Sequence, residues 1–277
     1  MKISATIITF NEAENIRAAC ESVNFADEII VVDSGSTDST REIAAECGAK
    51  VITQDWLGFA AQKQLAATSA DNEWILSLDA DERISEELAA EIIKLKDLPQ
   101  EKLADGYRIP RKNFYMNRPI SGGGWYPDWQ LRFYNRSKAA WKPLLIHESV
   151  QLQDGGRLEH LRGDILHYSI RDAAYHHKMI GERYAPLAAR QMFEQGRRTT
   201  KLKIASAGFT TFLQTYFLKG GFRDGLAGFC IARFAAHHAF LKHLLLWEMH
   251  EKSGVRSPES EVEGKNQTSD SGLQTPD

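Results

Sequence analysis

The chain has 277 residues, 43% of them hydrophobic, with 34 lysines and arginines against 37 aspartates and glutamates, a formal net charge of −3. That length can bury the core of one large domain, or of a domain with an appendage, and the balanced charge argues against a general nucleic-acid binder, which is usually basic overall. The three cysteines, Cys20, Cys47 and Cys230, form neither a disulfide framework nor a CxxC metal knuckle, and suit a reducing compartment.

The apolar stretch at the start is interrupted too soon for a secretory signal and reads as a buried first strand, Ile3–Thr9. A helix is expected from about Asn11 to Val23, with Ile16, Cys20 and Val23 on one face. Glu28–Val32 is a nearly continuous apolar run, the mark of a parallel strand covered on both sides. The Asp33–Thr40 turn then leads into a helix that Ser36 or Thr37 can cap and Gly48 can end. Lys50–Thr53 reads as a short strand, Gly58–Ser69 as a helix and Trp74–Leu78 as a strand ending at Asp79-Ala80-Asp81. Ser85 opens a further helix, with Glu86 and Glu87 in its first turn and Leu88, Ile92 and Leu95 as its apolar stripe.

Repeated strand–helix alternation predicts a parallel α/β sheet with helices on both faces. Ligands of such sheets bind beyond the carboxyl ends of the strands, which is where Asn11, Asp33, Asp79 and Asp81 fall. From Asp105 to Ser169 the pattern shifts to short strands, around Tyr107–Pro110, Leu131–Tyr134, Glu148–Leu152 and Ile165–Ser169, with a Gly122–Gly124 loop and several tryptophans. From Arg171 to about Lys252 the chain reads as helical. The remainder, Ser253–Asp277, is polar and expected to be disordered.

Asp79-Ala80-Asp81 is the central chemical feature. On extended backbone the two carboxylates point the same way and Ala80 points back. Such a pair, with room for phosphate oxygens, suits Mg²⁺ or Mn²⁺. D-x-D is common by chance; its place at the end of an apolar strand gives it weight.

Taken in order, Thr9-Phe10-Asn11-Glu12, Val31-Val32-Asp33-Ser34-Gly35-Ser36-Thr37-Asp38 and Leu78-Asp79-Ala80-Asp81-Glu82 resemble glycosyltransferase family 2, whose members have the GT-A fold. The resemblance implies a Rossmann-like mixed sheet: a catalytic domain over residues 1–170, split into a nucleotide-sugar half (1–100) and an acceptor half (101–170), then a helical extension (171–252) and a tail (253–277). It places Thr9, Asn11, Glu12, Asp33, Gly35, Asp79 and Ala80 around the nucleotide sugar. Asp81 becomes the ligand of a divalent metal, with Asp79, His147 or His167 as further contacts. A lone histidine is more often structural, and His176-His177 and His237-His238 read as surface or packing residues.

A later acidic motif of the family, often Glu-Asp followed by Leu-Arg, supplies the catalytic base. Here Pro127-Asp128-Trp129-Gln130-Leu131-Arg132 stands in that place, with Pro127 where Glu is common. Asp128 is the implied base and Glu148 its rival. Trp125, Arg132, Trp141 and His147-Glu148 further resemble the enzymes that add a β-linked glucose to the inner core of lipopolysaccharide, which makes Trp125 and Arg132 acceptor-side residues.

The implied reaction is inverting transfer from a nucleoside diphosphate sugar, UDP by resemblance, to a saccharide hydroxyl of a lipid-linked acceptor. Transfer to a polyprenyl phosphate and a silent nucleotide-sugar-binding subunit of a membrane complex stay open as alternatives. A dinucleotide oxidoreductase is disfavoured, because no G-x-G-x-x-G follows the first strand. Between Arg197 and Lys242, eight cations and a single acid, Asp224, are interleaved with aromatic and aliphatic residues. The longest uncharged run, Ile204–Leu218, is shorter than the ~20 residues of a membrane span. Basic residues beside an apolar stripe predict interfacial helices on an anionic membrane surface, which would place the protein on the inner face of the cytoplasmic membrane.

Overall fold

The computed structural model describes residues 1–142 and 149–253. The chain divides into two units: Met1–Pro119 with Trp125–Ser169, and Ile120–Gly124 with the chain from Ile170 onward.

The first unit is built on one mixed sheet. β1 (Ile3–Thr9), β2 (Glu28–Asp33), β3 (Lys50–Thr53) and β4 (Trp74–Asp79) pair in parallel in the order β3-β2-β1-β4. The helices α1 (Ile16–Ser22), α2 (Thr40–Glu46), α3 (Phe59–Thr68) and α4 (Glu86–Lys96) alternate with them, apart from a three-residue strand, β5 (Glu82–Ile84). The sheet continues through β6 (Gly106–Tyr115), β8 (Asp128–Asn135) and β12 (Ile165–Ile170) in the order β4-β8-β6-β12-β5, with β7 (Arg118–Pro119) and β11 (Leu158–His160) beside β6. β9 (Ala139–Trp141) and β10 (Val150–Leu152) form a separate antiparallel pair.

All seven residues of β1 are buried because both faces of the sheet are covered. Ile3, Ala5 and Ile7 pack with Ile16, Cys20, Leu88 and Ile92 on one face. On the other, Ile8 joins Ile30, Val32, Ala66, Ile75 and Tyr134. A closed aliphatic side chain of this kind contributes about 1.5–3 kcal/mol. Strand and helix positions follow the sequence pattern closely through α4, and Ser85 caps α4 by accepting from the Leu88 N–H at 3.2 Å.

Several expectations are corrected. The first helix begins at Ile16, not Asn11, because Asn11 sits at φ 54 in a turn. α2 begins at Thr40, and Ser36 and Thr37 do not cap it; they bond back to Asp33 and Asn11. β6 and β8 run well beyond their expected limits, which puts Asp128 inside a strand.

In the second unit, Asp172 caps α5 (Ala173–Lys178), whose backbone runs through a π-helical stretch, Met179–Tyr184, into α6 (Ala185–Glu194). α7 (Lys201–Leu213) extends similarly to Leu218 and then turns at Gly220. The 28-residue α8 (Gly225–Lys252) packs on α6 around Ala189, Met192 and Leu246. Gly228 is required at the turn, since a Cβ there would lie 1.8 Å from the Gly221 carbonyl oxygen. His176 packs against Phe234 (ring centroids 4.1 Å apart) and His177 stacks on His237 (5.8 Å), so these histidines serve packing. Among the described residues, no helix is long and apolar enough to cross a membrane.

Candidate active site

The site lies where β1, β2 and β4 end. β8 is antiparallel to β4, so the first residue of β8, Asp128, arrives at the end where β4 finishes in Asp79. Alternation along β8 turns Asp128 and Gln130 to one face, and Arg132 stands at a register shift between β6 and β8.

The first two motifs are stitched to each other. Thr9 and Asp33 are register partners, and the Ser34 N–H donates to the Thr9 carbonyl at 2.9 Å. The Asn11 N–H donates to Ser36 Oγ at 2.8 Å, and Asn11 Oδ1 accepts from the Thr37 N–H at 2.9 Å. Glu12 accepts from the Asn15 amide at 2.7 Å while its own N–H reaches Thr40 Oγ1 at 2.9 Å. Asp33 is fully buried and accepts from the N–H groups of Gly35 and Ser36, at 3.1 and 2.9 Å, and from the Ser36 hydroxyl. Gly35 has open space at its Cβ position but a φ of +87, so conformation, not crowding, demands glycine.

The third motif meets the later strands in a ladder of alternating charge. Lys63, on α3 and only 1% exposed, places Nζ 2.9 Å from Asp79 Oδ1. Arg132 reaches Asp79 Oδ2 at 3.2 Å and Glu82 Oε1 at 3.5 Å. Glu82, wholly buried, also accepts from Arg111 Nη1 at 3.0 Å. Arg111 donates through Nε and Nη2 to Asp128 Oδ2, at 2.9 and 2.7 Å. Gln130 donates to Asp128 Oδ1 at 2.7 Å. The three cations and three carboxylates of this ladder balance. Burial works to raise the Asp79 carboxyl, but Lys63 and Arg132 prevail and hold it well below the usual range. Burial likewise opposes the charge of Arg111, and Glu82 and Asp128 overcome it and push its pKa up.

Asp81 stands apart from the ladder. Its Oδ2 lies 3.3 Å from His167 Nε2. The Asn113 amide donates to the Trp125 carbonyl at 2.9 Å, which turns its oxygen toward His167 Nδ1 at 2.6 Å. Nδ1 therefore carries a proton in either charge state, and Nε2, once it gives up the proton it shares with Asp81, can ligate a metal. Metal–ligand bonds of about 2.1 Å at right angles place neighbouring donors about 3 Å apart, close to the separation seen here. Burial lowers the His167 pKa, and the Asp81 hydrogen bond and charge more than reverse this. No group of three or more metal-ligating side chains occurs among the described residues. A cation held by Asp81 and His167 would thus take its other ligands from phosphates and water, as Mg²⁺ and Mn²⁺ do. Asp79, engaged by Lys63 and Arg132, does not fit as a ligand.

The other expected residues are placed as follows. Ala80 is buried and its N–H donates to the Ile8 carbonyl at 3.2 Å. Arg132 is buried in the ladder, and the Trp125 ring packs edge-on against Tyr115 at 6.2 Å. His147 and Glu148 lie outside the described residues. Lys63, Arg111 and Asn113 lie outside the motifs, and Glu82 and Gln130 lie inside them with no role expected. The available signal was a polar or charged residue inside an otherwise apolar or alternating element.

The glycosyl transferase family 2 model matches residues 4–161, over half of the chain and spanning all the strand-end carboxylates. The chain belongs to glycosyl transferase family 2. Its fold is GT-A with a C-terminal helical region. An uncharacterized glycosyltransferase of Rickettsia bellii (strain RML369-C) is 33% identical over 262 residues, 90% of this chain and 87% of that protein. The lipopolysaccharide core biosynthesis glycosyltransferase LpsC of Rhizobium meliloti (strain 1021) is 29% identical over 262 residues, 90% and 93% of the two chains. Among solved structures, S. aureus TarS 1-349 in complex with UDP-GlcNAc aligns with 92% of each chain, at a TM-score of 0.46 and 16% identity.

Proposed function

We propose that this family 2 glycosyltransferase moves a hexose from a UDP-sugar to a saccharide hydroxyl of a lipid-linked acceptor, with inversion, and that the acceptor is lipopolysaccharide inner core. The observation that carries the chemistry is Asp128. It stands at the same sheet end as Asp79 and Asp81, oriented by Arg111 and Gln130, with 31% of its side chain open to solvent. An ionised carboxylate has about four acceptor positions; described residues fill three, and the fourth, on Oδ1, takes the proton of the attacking hydroxyl. That is general-base catalysis. Asp81 and His167 would hold a divalent cation, which would offset the charge of the departing diphosphate. Asp33, with Thr9, Asn11, Glu12 and Gly35, shapes the nucleoside pocket, and Asp79 faces the sugar. The acceptor rests on LpsC, whose own role is lipopolysaccharide core synthesis.

The helical unit supports a membrane location. Its large apolar side chains include two sets. Phe212, Tyr216 and Phe229 pack on one another, with centroids 5.4–5.9 Å apart. Leu202, Phe209, Leu218 and Leu226 stand 66–84% exposed. Lys201, Lys203, Lys219, Arg223 and Arg233, interleaved with them along the chain, are exposed as well. The one acid between Arg197 and Lys242, Asp224, accepts from the N–H groups of Ser121 and Gly122 at 3.0 and 2.7 Å. Exposed apolar residues ringed by cations suit an anionic bilayer surface.

The test is incubation with UDP-glucose, UDP-galactose and UDP-N-acetylglucosamine, each with Mn²⁺ or Mg²⁺, and a Gram-negative glycolipid extract. Acceptor-dependent release of UDP is expected. Release with polyprenyl phosphate alone, unaffected by Asp128→Asn, favours a phosphate acceptor, and UDP-sugar binding without any release favours a silent binding protein.

A further inference from the structure

Glu82 is the one carboxylate of the charge ladder with no exposed surface. A buried charge is tolerated only when its lone pairs are met, and here each oxygen has a task. Oε2 accepts from the Asp79 N–H at 3.0 Å. Oε1 accepts from Arg111 at 3.0 Å and from Arg132 at 3.5 Å. Glu82 therefore grips the backbone of the strand that carries Asp79 and, with its other oxygen, the arginine that holds Asp128.

A guanidinium is a planar fork with donors in fixed directions. Once Nη1 is anchored on Glu82, the Nε and Nη2 edge of Arg111 is fixed, and both of those donors converge on Asp128 Oδ2. Without that anchor the fork can pivot about Asp128 toward solvent. Glutamine at position 82 keeps the shape but carries one oxygen and one NH₂ group. It must turn the NH₂ either to the arginines or to the Asp79 N–H, each a donor facing a donor.

We propose that Glu82 is a positioning residue for the transfer step: it fixes Arg111 and, through Arg111, aims the carboxylate of Asp128. This rests on Asp128 being the base.

The test is a double-mutant cycle on Glu82→Gln and Arg111→Lys, with Asp128→Asn alongside. Turnover is read as UDP release from a mixture of UDP-glucose, UDP-galactose and UDP-N-acetylglucosamine with Mn²⁺ and a Gram-negative glycolipid extract; UDP–Mn²⁺ binding is read by calorimetry. Glu82→Gln is expected to lower kcat at least about tenfold and to change UDP affinity by less than about twofold. In the Arg111→Lys background the same change should add less than about twofold, because an ammonium cannot hold both carboxylates in one plane. Independent, multiplying losses overturn the proposal, as does a loss confined to UDP binding. If Glu82→Gln melts at a markedly lower temperature, Glu82→Asp replaces it, keeping the charge but falling short of Arg111, with the same cycle expected. An inactive Asp128→Asn beside a Glu82→Gln of normal kcat defeats this proposal alone; an active Asp128→Asn defeats the base assignment and this proposal with it.

Discussion

Arg111 and Asp128 are direct partners across β6 and β8, and two nitrogens of Arg111 converge on a single oxygen of Asp128, at 2.9 and 2.7 Å. Among the described residues the other oxygen accepts from Gln130 alone, and in the proposed reaction it would face the acceptor. A carboxylate so held is oriented before the acceptor arrives, which is what general-base catalysis from a fixed geometry requires.

Asp128→Asn should therefore lower kcat by about 10²–10⁴. UDP binding should stay near normal, because Asp33, Asp81 and His167 are untouched. Steady-state kinetics beside calorimetry checks this. A variant that keeps most of its turnover while Glu148→Gln is inactive would move the role to Glu148.

The Asp81–His167 pair makes a second expectation. Asp81→Ala should abolish transfer and leave the melting temperature close to wild type, since among the described residues its side chain pairs with His167 alone, at 3.3 Å. Asn113→Leu frees the imidazole to turn, and should weaken Mn²⁺ binding in the presence of UDP by about 10- to 100-fold. UDP release and thermal melting check the first variant, and calorimetric titration of Mn²⁺ checks the second. Near-normal turnover of Asp81→Ala in excess chelator would refute the metal assignment.

The helical unit should be sensitive to acid. Burial against Phe234 pushes the His176 pKa down from 6.5 to about 4. The sign follows from proton binding: between these values the unfolded chain binds the proton and the folded one does not, so stability rises with pH. The contribution is complete above about 6.5 and is lost as the pH falls toward 4, on the order of 3 kcal/mol. Burial lowers His238 and His243 as well, in the same direction. Urea midpoints at pH 7 and pH 5 should differ clearly for the wild type and less for His176→Leu. An unchanged difference in the variant would show that His176 is not the sensor.

Much of this site is written in local sequence. Asp33, Asp79 and Asp81 each follow an apolar run that can only be a covered strand, and strand ends are where such sheets bind ligands. The partners of these residues are written elsewhere. Lys63 looks like a solvated helix position until α3 packs against the sheet and buries it beside Asp79. Arg111 and Asn113 are polar alternates of β6, which read equally well as a solvent face. Their meaning depends on the antiparallel insertion of β8 between β4 and β6, and local periodicity does not encode strand order. Ser36 and Thr37 show the reverse error: their side chains fit a helix cap by type, but the turn at Asn11 lies close enough to take them instead.

The same distinction between type and placement gives the membrane test. In sequence, Phe212 and Tyr216 are as apolar as Phe209, Leu218 and Leu226, yet they are half-buried while the second set stands 66–84% exposed. Burying an exposed leucine or phenylalanine in lipid is worth about 1.5–3 kcal/mol, and each nearby cation adds about 1 kcal/mol on an anionic surface. Full-length protein should sediment with vesicles containing phosphatidylglycerol and remain in the supernatant with phosphatidylcholine alone. High salt should weaken the binding without abolishing it, because the apolar contribution is not screened. Leu218→Ser with Leu226→Ser should lower the partition coefficient by at least about tenfold while leaving the melting temperature unchanged, since neither side chain is packed. Lys219→Gln with Arg223→Gln should remove most of the dependence on anionic lipid. Recovery of monodisperse wild-type protein in the supernatant with every vesicle, at every salt concentration, would rule out the membrane surface and leave the exposed set for a contact between proteins.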